Sequence, residues 1–73
     1  MEIKKVTQDE MFDILENNSQ GVFYYINELN RYYCYLVVNN IRTSNIWNDK
    51  EFAFSWMDKV LQTHFNRSKQ AER

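Results

Sequence analysis
Residues 21–47 read GVFYYINELNRYYCYLVVNNIRTSNIW, and the middle of that stretch, Tyr32-Tyr33-Cys34-Tyr35-Leu36-Val37-Val38, decides the fold. β-Branched and aromatic residues crowd here and are broken twice by polar turn-like pairs, the pattern of antiparallel strands joined by tight turns. The stretch predicts a three-stranded antiparallel meander. If Leu29-Asn30 closes the first hairpin, Glu28 faces Arg31 as an opposite-charge pair. If Asn39-Asn40 closes the second, Val38 faces Ile41, and Asn accepts the positive φ that such a turn needs. These two turns sort the strands by pleat. One face receives Phe23, Tyr25, Tyr32, Cys34, Leu36, Val38, Ile41, Thr43 and Trp47. The other receives Val22, Tyr24, Ile26, Tyr33, Tyr35, Val37, Arg42, Ser44 and Ile46. A slip of one residue in either turn exchanges the faces of the strand beyond it.

Helices are expected on both sides of the meander. Thr7-Gln8-Asp9-Glu10 has the form of a capping box, and a short helix follows to about Asn17. Met11, Phe12, Ile14 and Leu15 fall on one side of it and the acids on the other. Too short to persist alone, this helix must dock on the rest of the chain. The second helix is expected from Asp49 to about Asn66, capped at Asn48, with its apolar residues covering an arc of roughly 220°. That arc is wider than one sheet face needs, so its Phe54–Leu61–Phe65 edge requires the first helix or a partner as cover. Before the first helix, residues 2–6 read either as a short edge strand or as an unordered lead-in.

The fold class is therefore α+β: a three-stranded antiparallel β-meander packed against a C-terminal α-helix, with a short N-terminal α-helix. With 73 residues the chain is expected to be a single small domain, residues 67–73 forming a frayed tail. A core this small is marginal, and five Phe, five Tyr and two Trp are its main apolar resource. Net charge is −1, with five of the ten acids in the first sixteen residues. That balance argues against a generic polyanion binder. No run is long and apolar enough to span a membrane, and the N-terminus lacks the apolar core of a secretion signal. One cysteine cannot close an internal disulfide, which fits a cytoplasmic protein.

Chemistry-bearing residues are few. Cys34 and His64 make the one conceivable nucleophile–base pair, but Cys34 sits mid-strand on the expected core side, where a thiol behaves as a small apolar group. One His with one Cys cannot close a zinc site. A single glycine leaves no phosphate-cradling loop. No catalytic residue, metal site or cofactor is expected, and the chain reads as non-enzymatic.

What remains is surface. Tyr24, Tyr33, Tyr35, Val37 and Arg42 form the candidate partner-binding patch on the face away from the long helix. Four readings compete for it: cover by the first helix, a protein partner or homodimer, nucleic acid stacked on the tyrosines, and a small-molecule site. Three strands followed by a packed helix resemble the AP2-like domains, including the N-terminal arm-binding domains of integrases. The passage Ile46-Trp47-Asn48-Asp49-Lys50-Glu51-Phe52-Ala53 looks like that family's helix start, with Asn48 at its capping position, Glu51 at an acidic one and Ala53 at a small one. The resemblance implies that the face of Tyr24, Tyr33, Tyr35 and Arg42 would enter a DNA groove. The strands lack the family's Arg and Gly residues, and an acidic helix precedes them. In size and in its Asn, Tyr and Lys content the chain is also similar to accessory proteins of phages and mobile elements. The leading expectation is a small intracellular protein-interaction module, able to self-associate, that binds through the Tyr-rich face. The alternative is an AP2-like nucleic-acid-binding accessory protein.

Overall fold
The computed structural model describes residues 2–65, so the expected tail lies outside the described residues. Two turns built on asparagine set the frame of the sheet. Asn39 and Asn40 both take positive φ, 52° and 66°, the type I′ geometry whose twist matches the strands it joins. Val38 accordingly faces Ile41, and β3 (Tyr32–Val38) pairs with β4 (Ile41–Trp47) in the expected antiparallel register.

The first hairpin turns differently. Asn27 donates its N–H to the Arg31 carbonyl (3.0 Å), and its side-chain oxygen accepts from the amides of Leu29 and Arg31, each at 2.9 Å. Asn30 takes the left-handed position at φ 62°. The loop is therefore 28–30, one residue longer than expected, and Glu28 does not face Arg31. A carboxamide that satisfies two loop amides at once outweighs a single exposed ion pair. As a result β2 (Gly21–Ile26) meets β3 one residue out of the expected register, with Val22 opposite Leu36 and Tyr24 opposite Cys34. Every side chain of β2 changes face.

Residues 3–5 are a strand. β1 (Ile3–Lys5) lies parallel to β2, with Ile3 beside Val22, giving a four-stranded mixed sheet in the order β1-β2-β3-β4. The expected meander is its β2–β4 part. Helix α1 (Gln8–Asn17) carries the chain from β1 to β2, because parallel neighbours need a crossover. Its capping box is complete: Glu10 N–H donates to Thr7 Oγ1 at 3.1 Å, and Thr7 N–H donates to Glu10 Oε1 at 2.8 Å. Asn18 ends it in the left-handed conformation.

Helix α2 (Lys50–His64) begins one residue later than expected. Asp49, not Asn48, is the cap, accepting from Glu51 N–H at 2.8 Å. It buries Ala53, Met57 and Leu61 on Val22, Cys34 and Leu36. The apolar edge at Phe54 and Phe65 is not covered by α1. Phe54 sits edge-on to Tyr24 at 5.1 Å and Tyr32 at 6.4 Å, and Ile3 of β1 joins the same core.

On the other face, α1 packs against β2. Met11, Phe23 and Val37 are buried there, while Phe12, expected on the docked side, stays 62% exposed. Gly21 is required at this end of the sheet: its φ is +149°, and an added Cβ would lie 2.7 Å from Phe23 Cζ, because that ring folds back over the glycine. Gly21→Ala must both strain the backbone and displace a buried ring, so a loss of about 1–3 kcal/mol is expected. Urea denaturation followed by circular dichroism would measure it, and an unchanged midpoint would refute this packing.

Candidate tyrosine face
The slip in β2 redistributes the tyrosines. Tyr24 was expected on the open face but belongs to the pleat of Cys34, beneath α2, where Phe54 and Tyr32 pack on it. Val22 and Ile26, expected on the same face, move with it. Tyr25 takes the vacated place. Its ring stacks on Tyr33 with centroids 4.9 Å apart and planes 3° from parallel, and on Tyr35 at 6.4 Å and 16°. Neighbouring rows bring Ile46 beside Tyr33 and Ser44 beside Tyr35.

The remaining candidates divide. Val37 shares this face but is fully buried at the end that α1 covers, so it belongs to the core and not to a contact surface. Arg42 is exposed, and its Nε donates to Asn18 Oδ1 at 3.3 Å, tying β4 to the C-terminal cap of α1. Thus α1 closes the Gly21–Phe23–Val37 end and leaves the other half of the face to the three half-buried tyrosines and to Ile46, 56% exposed. Tyr25 and Ile46 were missed for different reasons: the misread first turn put Tyr25 on the wrong face, and Ile46, correctly placed on this face, carries no aromatic ring. The signal available for Tyr25 was Asn27, a residue suited to a side-chain-capped turn.

No protein-family model matches this chain, and neither a curated protein nor a solved structure does.

Beside Tyr25 the surface continues into a pocket of about 390 Å³, lined by Lys5, Val6, Thr7 and Gln8, which lead from β1 into α1, and by Tyr25, Ile26, Asn27 and Glu28. Burial raises the Tyr25 hydroxyl above its ordinary value, with the hydroxyls of Tyr35 and Tyr33 acting in the same direction. Among the described residues no three His, Cys, Asp or Glu side chains converge as a metal site would need, and no helix is long and apolar enough to cross a membrane.

Cys34 is fully buried under α2, and burial pushes its thiol up to about 11 from 9.0. His64 lies exposed in the last turn of α2. A neutral, enclosed thiol is a packing group. Above about pH 9 the unfolded chain releases a proton that the folded state retains, so stability falls as pH rises towards about 11. Tyr24, raised first by burial and then by Tyr32 and Cys34, extends the same trend. Denaturation midpoints at about pH 8 and about pH 10.5 should show this loss, and Cys34→Ala should reduce it. A midpoint that rises with pH would contradict the buried position of Cys34.

Proposed function
We propose that this chain is a small, non-enzymatic interaction module of the cytoplasm that binds a protein partner through Tyr25, Tyr33 and Tyr35, flanked by Arg42 and Ile46. The observation that carries the proposal is the stack of three tyrosine rings on the half of the sheet that α1 does not cover. Pre-stacked rings lose little conformational freedom when a partner arrives, and Tyr with Arg is the composition of interface hot spots.

Nucleic-acid binding by an AP2-like accessory protein of phage type is the second reading, favoured by the same rings, which could stack bases. Charge speaks against it. On this pleat the basic residues are Lys4 and Arg42, on opposite edges of the sheet, and α1 adds Asp9, Glu10, Asp13 and Glu16 to the same side. Phosphate contacts normally supply much of the affinity. A titration with duplex DNA across salt concentrations separates the two. The protein-module reading expects no tight, steeply salt-dependent binding; a steep loss of affinity with salt would overturn it in favour of nucleic acid.

A further inference from the structure
The two edges of the sheet are built differently. β1 is only three residues long and carries Lys4 and Lys5, features that discourage pairing with another chain. β4 has seven residues, no proline, no lysine and an uninterrupted register with β3. Among the described residues no element pairs with its outer side. In a two-residue hairpin the pair next to the turn, here Val38–Ile41, exchanges both ladder bonds. Alternation then directs the N–H and C=O groups of Arg42, Ser44 and Ile46 away from β3. Large apolar side chains left open also gather around this strand: Ile41 is 63% exposed, Ile46 56% and, just after it, Phe52 62%.

We infer that β4 pairs with β4 of a second copy, antiparallel and two-fold symmetric about Ser44, joining two four-stranded sheets into one. The sequence of the strand is self-complementary in that register. Ser44 meets Ser44 of the other copy, Arg42 meets Ile46, Thr43 meets Asn45, and Ile41 meets Trp47. The outward-directed residues are all opposite one another, so their ladder groups are satisfied together. No like charges oppose, and the exposed Ile41 and Ile46 gain the indole of Trp47 and the stem of Arg42. The Ser44 carbonyl accepts from the Asn45 carboxamide at 3.2 Å when that amide is turned to take the Trp56 indole N–H. Its second lone pair serves the new ladder. With the two-fold axis perpendicular to the sheet, both α2 helices lie on one side and both tyrosine stacks on the other. The pairing does not rest on the tyrosine-face reading, since it uses main-chain groups of the edge.

Cross-linking tests it. In the proposed register the two Ser44 Cα atoms lie about 5.5 Å apart, within disulfide reach, whereas the two Arg42 Cα atoms are about 14 Å apart. Under mild oxidation Ser44→Cys should become a disulfide-linked dimer and Arg42→Cys should form no such link; buried Cys34 provides no competing one. In analytical ultracentrifugation the unaltered protein should show a concentration-dependent dimer. Ser44→Lys, which sets like charges opposite each other at an exposed position, should lose that dimer with an unchanged circular dichroism spectrum. Tyr33→Ala with Tyr35→Ala should keep it. A strict monomer, equal cross-linking of both cysteine variants, or a dimer that survives Ser44→Lys would overturn the inference.

Discussion
Met57→Ala is expected to remove most of the stability of this domain. Met57 is fully buried at the middle of α2, within the cluster of Val22, Cys34, Leu36, Ala53 and Leu61. Truncating a buried methionine costs about 2–5 kcal/mol, the transfer loss adding to the cavity left behind. A domain of this size holds only a few kcal/mol in total. The α2 helix has no other face on which to dock, since α1 lies across the sheet from it. Both helical ellipticity and the tyrosine near-ultraviolet signal should therefore be lost together, at a much lower urea midpoint than for the unaltered protein. A loss below about 1 kcal/mol would mean that α2 is not seated on this cluster.

Tyr33→Ala combined with Tyr35→Ala should act in the opposite way, leaving the fold and removing binding. Both rings are half-buried, and each contributes to stability mainly through its stacking with Tyr25, worth about 0.5–1.5 kcal/mol per pair. The main chain of β3 keeps its ladders on both sides, and the α2 face of the strand, with Cys34 and Leu36, is untouched. Affinity for the partner retained from native-host extract should fall by more than about 2 kcal/mol, roughly thirtyfold, as for paired aromatic hot spots. If the double substitution unfolds the protein instead, these rings are core and the face is no contact surface. Tyr24→Ala provides the contrast: it lies beneath α2 against Phe54, so its cost should appear in stability.

How much of this was legible in the chain depends on the turn. Asn39-Asn40 is a two-residue signal with one good solution, and it placed β3, β4 and the residues of both their faces. The first turn offered two solutions one residue apart. The charge pair Glu28–Arg31 favoured the shorter loop, while Asn27 and Asn30 together favour the longer one by satisfying three backbone amides and taking the left-handed position. One slipped residue moved Tyr24 under α2 and Tyr25 into the patch. The strand Ile3–Lys5 is too short for periodicity to reveal, and its parallel pairing is set by where α1 returns the chain. The capping box of α1 was readable because both partners lie within four residues. Its docking surface was not, because half-cover of a sheet depends on the lateral position of the helix and not on its own pattern.

The tyrosine face is tested most directly by residue-resolved nitration of the tyrosines, with the protein alone and with its captured partner bound. Tyr25, Tyr33 and Tyr35 should be modified in the free protein and protected in the complex, while the extent of Tyr24 modification, on the opposite face against Phe54, should not change when the partner binds. Equal modification of Tyr33 and Tyr35 with and without the partner would contradict it.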